Sequence, residues 1–144
     1  MNVTTINVSN MTHYTGTKNI KAVLTTRAQY CDYRGWTLPE DEDPNEEIYL
    51  VEYEADQSSK PNHPNHEGYI SMSPKHVFDK AYHKSASYMD RLHIENDELA
   101  NKITKLENAL NNKQIPGSDV DILTSQLTLM KSYLEILRFR INKK

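Results

Sequence analysis

Arg27, Arg34 and Trp36 lie within one short stretch of this 144-residue chain, with Tyr30 and Tyr33 between them. Guanidinium forks hold phosphate oxygens in bidentate fashion, and flat rings stack on bases. The stretch therefore carries the groups a nucleotide site needs. The plain alternative is that the rings are core and the arginines surface. Arg138 and Arg140 form a second pair, just ahead of Lys143 and Lys144. They could hold phosphates, or simply complement the dipole at the end of a helix. Phe78 offers a further stacking ring. Asn96 stands in an otherwise apolar stripe of Met89, Leu92, Leu99, Ile103, Leu106 and Leu110. An amide there can fix the register of packed helices. It can also present donor and acceptor together to a base edge such as that of adenine.

Other chemistry is poorly provided for. The chain has four glycines and no Gly-rich phosphate loop, and it shows no nucleophile elbow. Cys31 is the single cysteine, so no internal disulfide is possible, and a reducing interior is the expected compartment. His63 and His66 flank a Pro-Asn pair, but zinc needs about four ligands, so a solvated turn is expected. The acidic run Glu40–Glu47 lacks the alternation and glycine of a calcium loop, and a solvated loop is expected there too. No catalytic residue, metal or cofactor is expected: the residue types point to binding.

The charge is near balance, with 17 Lys+Arg against 20 Asp+Glu. Residues 1–72 hold 5 basic and 11 acidic side chains, residues 73–144 hold 12 and 9. Bulk electrostatic binding to DNA is disfavoured, and only a local basic pocket fits. No apolar run approaches the roughly 18–20 residues of a membrane span.

These residues must be positioned by elements that the periodicity suggests. Residues 1–13 read as a polar tail or loose edge strand. From Lys18, "KNIKAVLT" alternates as a strand. "TTRAQYCDYRG" is a short helix that Thr25 or Thr26 can cap and Gly35 can end. "IYLVEY" and "YISMS" are further strands. Ser73-Pro74 looks like the start of a helix. Two helices of about 24 residues follow within 87–142, broken at "KQIPGS", the second opened by a capping-box-like Ser118 and Asp121. The expected fold is α+β: a small N-terminal antiparallel β-sheet with a short helix (14–73), then a long antiparallel helical hairpin and oligomerisation region (74–144). The last helix has a second apolar stripe of Ile122, Leu129, Tyr133 and Ile136, so the hairpins should pair into a homo-oligomer.

The hairpin pattern carries a resemblance. Glu95, Glu98, Leu99, Lys102, Ile103, Lys105 and Leu106, followed by Leu123, Gln126, Leu127, Met130, Tyr133, Leu137, Arg140 and Ile141, resemble the helical hairpin shared by bacteriophage Thoeris anti-defence sponges and anti-CBASS cyclic-nucleotide sponges. The upstream wording "YRGWTLPEDEDPNEE" and "PNHEGYISMSPKHVFDKAY" is similar to a segment of small phage proteins, with Met72 where a Trp and Ile48 where a Gly would be expected. The resemblance implies a protein that sequesters cyclic nucleotide second messengers, cyclic ADP-ribose isomers or CBASS cyclic oligonucleotides, without cleaving them. It also implies a dimer or hexamer in the cytoplasm of the infected bacterial host, with no DNA or membrane partner. Arg27, Arg34, Arg138 and Arg140 are then the expected phosphate contacts, Tyr30, Trp36 and Phe78 the stacking rings, and Asn96 the base-edge or pocket-wall contact. The competing reading is a non-catalytic adaptor whose hairpin docks on a protein partner.

Overall fold

The computed structural model describes residues 5–56 and 60–143; residues 1–4 of the expected tail, and Lys144, lie outside them. The chain divides into two compact units, one up to Ala81 and one from Tyr82 onward.

The first unit is built on a three-stranded antiparallel sheet, β1 (Ile20–Thr26), β2 (Glu47–Tyr53) and β3 (Ile70–Pro74), with β2 in the centre. Ile48 pairs with Thr25 on one side and Pro74 on the other; Val51 pairs with Ala22 and Ser71. Ile48 and Val51 are three residues apart, so they point to opposite faces. Both are fully buried, which means both faces of β2 are covered. This explains why "IYLVEY" reads as a nearly unbroken apolar run. Helix α1 (Arg27–Arg34) packs on β1 and β2, and α2 (Lys75–Ala81) on β2 and β3. Phe78 of α2 stacks on Tyr49 with centroids 3.9 Å apart. That contact binds α2 to the sheet, and so the boundary falls after Ala81, not at the 73/74 position expected from sequence.

Local chemistry sets the ends of α1. The Thr26 hydroxyl accepts from Gln29 N–H at 3.2 Å, and the Gln29 side chain accepts in return from Thr26 N–H at 3.3 Å. Gly35 closes the helix with φ of 72°, a conformation that costs glycine nothing. Ser73-Pro74 does not start α2 as expected. Pro74 ends β3 opposite Ile48, where a residue without an N–H is tolerated, and the helix begins at Lys75.

The second unit is a helical hairpin of α3 (Tyr88–Asn111) and α4 (Val120–Asn142). Ser87 and Asp90 form the capping box of α3. The expected box of Ser118 and Asp121 does not form: residues Gly117–Asp119 make a 3₁₀ turn that leads into α4, and Asp119 caps without a side-chain bond. Glu107 pairs with Lys131 at 2.6 Å, and Tyr88 meets Arg140 at 2.5 Å. Earlier residues of α3 thus meet later residues of α4, so the helices are antiparallel. Leu92, Ile103, Leu134 and Leu137 are buried between them. Among the described residues, no helix is long and apolar enough to cross a membrane.

Candidate functional site

The eight residues expected to touch a ligand fall into the two units, five in the first and three in the second, and the structure brings only some of them together. In the first unit, Tyr30, Arg34 and Trp36 form one cluster at the end of α1. Arg34 lies over the Trp36 ring at 4.3 Å and donates from Nη1 to the Tyr30 hydroxyl at 3.0 Å. Trp36 is half exposed, whereas Tyr30 is 2% exposed. A buried ring has no free face for a base, so Tyr30 is core and a support for Arg34, not a stacking platform. Phe78 likewise has a face covered by Tyr49.

Arg27 is engaged elsewhere. Its Nε donates to Glu46 at 2.6 Å and its Nη1 to Glu42 at 3.1 Å. The bond to Glu46, aided by both carboxylates, holds its pKa above the ordinary value. A phosphate arriving there would meet two carboxylates already in place. The acidic run is therefore folded onto α1 at Glu42 and Glu46. Its backbone joins in: Glu46 O accepts from Arg27 N–H at 2.9 Å, and Pro44 O from Ala28 N–H at 3.1 Å. Both are N-terminal amides that α1 cannot satisfy internally.

In the second unit, the open end of the hairpin gathers cations and rings. Arg140 donates from Nη2 to the Tyr88 hydroxyl at 2.5 Å and lies 5.7 Å from that ring. The same bond raises its pKa, so it stays charged. Arg138 is exposed on the same turn of α4, and Phe139 between them is 71% exposed. Phe139, exposed between the two arginines, and Tyr88, which meets Arg140, are candidates that sequence reasoning missed. Phe139 lies one position from each arginine, so an Arg-Phe-Arg run was the available signal.

Asn96 is on the seam as expected, near buried Leu92. Its Oδ1 is buried with no hydrogen-bond partner, and its Nδ2 reaches only Asp97 at 3.3 Å. An unpaired buried acceptor costs about 1–3 kcal/mol. Asn96→Leu should therefore stabilise the hairpin by about that amount. Thermal unfolding at fixed protein concentration checks this, and a lower melting temperature would contradict it.

The His63–His66 turn is not merely solvated. His66 Nδ1 bonds the Glu52 carboxylate, and its Nε2 meets the Tyr33 hydroxyl at 2.7 Å. Tyr33 stacks on His63 at 4.3 Å. Among the described residues, no group of three or more His, Cys, Asp or Glu side chains is placed to hold a metal ion. An open cleft of about 450 Å³ at one end of the sheet is lined by Lys18, Tyr53, Glu54, Asp56 and Tyr69 among others. Its carboxylates suit a phosphate ligand poorly.

The geometry of the second unit is that of an antiparallel helical hairpin with an aromatic and cationic open end. Residues 86–143 match the Sequestin family, a stretch that contains α3 and α4 and stops short of the first unit. This bears out the resemblance over the hairpin, as a match to a sequestin family. No curated protein and no solved structure matches the chain.

Proposed function

We propose that this protein sequesters a cyclic nucleotide second messenger of bacterial immunity and holds it without chemical change. The ligand is a cyclic ADP-ribose isomer of the Thoeris type or a cyclic oligonucleotide of the CBASS type. The protein acts as a homo-oligomer in the cytoplasm of the phage-infected host. The Sequestin match over the hairpin carries this reading; the name fits the holding of a small molecule. The chemistry of the hairpin's open end supports the ligand class. Arg140 suits a phosphate and lies beside the exposed Tyr88 ring, which suits a purine face; Arg138 adds a second exposed cation nearby. Sequestration works by mass action, so it requires a dissociation constant well below the messenger's level. That means nanomolar affinity, about −12 kcal/mol.

The surface of α4 supports self-association. Ile122, Ser125, Leu129, Ser132, Ile136 and Phe139 follow one another at gaps of 3, 4, 3, 4 and 3. They form a second seam, and all six are exposed in the single chain. Laid antiparallel on a second copy, this seam complements itself. Ile122 meets the partner's Phe139, Ser125 the partner's Ile136, and Leu129 the partner's Ser132. Each small residue faces a large one, so the layers interdigitate.

A direct test incubates the protein with cyclic ADP-ribose isomers and with cyclic di- and trinucleotides, removes unbound messenger, denatures the protein and assays the supernatant. Intact messenger in the supernatant is the expected result. Its loss to a new product would make the protein an enzyme, and no uptake would favour an adaptor that docks on another protein through the exposed seam. Arg138→Ala combined with Arg140→Ala should weaken uptake at least about a hundredfold, since each charged hydrogen bond is worth about 1.5–3 kcal/mol. The oligomer should keep its size. Undiminished uptake by the double variant would remove the phosphate assignment.

A further inference from the structure

β1 is an edge strand. Among the described residues its one strand neighbour is β2, so alternate residues turn their N–H and C=O groups away from the sheet. Edges of this kind are ordinarily blunted by Pro, a bulge or several charges. β1 has neither Pro nor bulge: its register against β2 runs without a skipped residue from Ile20 to Thr26, and Lys21 is its single charge. Val23 and Leu24, on opposite faces, are 58% and 45% exposed. The edge is long, regular and apolar, which makes it a template for another strand.

The segment ahead of β1 has the character of such a strand. Residues 5–17 contain no Lys, Arg, Asp or Glu, and Ile6, Val8, Met11 and Tyr14 are all more than 70% exposed. A 3₁₀ turn occupies Val8–Asn10. After it the chain is extended, with no turn or bend from Met11 to Asn19. Pairing with its own β1 would need a reversal within those residues. The segment instead runs on from the strand as an arm.

We propose that the arm of one copy adds to the free edge of β1 in a second copy, the two copies exchanging arms about a two-fold axis. Met11 to Val23 of each chain then forms one long strand, antiparallel to its counterpart. A symmetric antiparallel pair sets one residue opposite itself, and the side chains select Thr17. Met11 then lies opposite the partner's Val23, and Tyr14 opposite the partner's Ile20. Both are apolar pairs, and Thr opposite Thr is also favourable. The neighbouring symmetric registers are poorer. Centring on Gly16 sets Met11 against the partner's Lys21, and centring on Lys18 sets two like charges face to face. The chosen register uses residues that are already extended and leaves the 3₁₀ turn intact. Pairing of two strands alone is marginal in water. The exchange therefore forms among concentrated copies, or copies already gathered through α4, and not at the micromolar concentrations that report on the α4 seam.

Two populations of the full chain test this, one carrying Met11→Cys and the other Val23→Cys, mixed at roughly millimolar concentration and oxidised. Cys31 is buried and stays out of the reaction. A disulfide joining the two populations is expected. Neither population should cross-link alone, because like positions lie about 40 Å apart along the strands. A chain carrying both substitutions separates exchange from folding back: a linked dimer supports the proposal, and an internally cross-linked monomer overturns it. Hydrogen exchange of the unmodified protein gives a second reading. Amides of residues 11–17 should slow at least about tenfold between dilute and millimolar protein. Thr12→Pro, placed in an exposed segment, should abolish the slowing and leave the Trp36 unfolding midpoint unchanged. No disulfide between the mixed populations, or slowing that persists in Thr12→Pro, would overturn the proposal.

Discussion

Leu129→Asp should leave the hairpin folded and the protein monomeric. Leu129 is 71% exposed in the single chain, so the change costs the isolated fold little, and far-ultraviolet circular dichroism should be unaltered. In the proposed antiparallel pairing, however, Leu129 faces the partner's Ser132 near the centre of the seam. By symmetry each pair of chains would bring two new carboxylates into an apolar contact. A charge buried without a partner costs several kcal/mol, so the dissociation constant should rise at least a hundredfold, which about 2.8 kcal/mol suffices to produce. Sedimentation velocity at micromolar concentration reads this directly. A variant that sediments like the unmodified protein would place the interface elsewhere. A monomeric unmodified protein would remove the interface altogether.

Gly68→Ala should be the most damaging small substitution in the first unit. A Cβ at that position would lie 1.9 Å from the Tyr53 carbonyl oxygen and 3.1 Å from its carbonyl carbon. Both atoms are backbone at the end of the central strand, next to the 2.9 Å bond from Tyr53 N–H to Tyr69 O. Neither can swing aside as a side chain could. The connection between β2 and β3 would have to lift from the strand end, straining the bonds of Asn62 to Ile70 and the His66 contacts. The expected loss is about 1–3 kcal/mol or more, the range for overpacking in a rigid site. Trp36 lies in the first unit, so its fluorescence should report an earlier unfolding transition. The helical signal near 222 nm, dominated by α3 and α4, should hold to its original midpoint. An unchanged Trp36 midpoint would show that the connection can move at no cost.

The long-period features of the fold were legible before any coordinates. The α3 and α4 stripes repeat over three heptads, and a signal that long survives local irregularities. The three strands and α1 were also legible, because β-branched runs, Thr26 and Gly35 mark their bounds by local chemistry. The failures are equally physical. Ser73-Pro74 has the composition of a helix start, but pairing of Pro74 with Ile48 keeps it in the sheet, and pairing is non-local. Ser118 and Asp121 have the spacing of a cap, yet the Pro116-Gly117 turn leads into α4 through a 3₁₀ segment. At the candidate site, residue type told what each arginine could do and not what it already held. Nothing near Arg27 in sequence marks Glu42 and Glu46 as its partners, since the chain must first reverse through Pro39 and Pro44. Tyr30 and Trp36 are chemically similar in a sequence, and only burial separates the core ring from the exposed one.

The short connection between α3 and α4, residues 112–119, has a consequence for the order in which the chain acquires structure. Each helix is built of contacts about four residues apart, the two need close only these eight residues to begin packing, and folds dominated by local contacts form in microseconds to milliseconds. The sheet must instead close the span from Thr26 to Glu47 before β1 can meet β2, and a further span before β3 can join. The hairpin should therefore be complete while the sheet is still searching for its register. Under the proposed pairing, a chain could begin to find its copies and its ligand with the N-terminal unit unfinished.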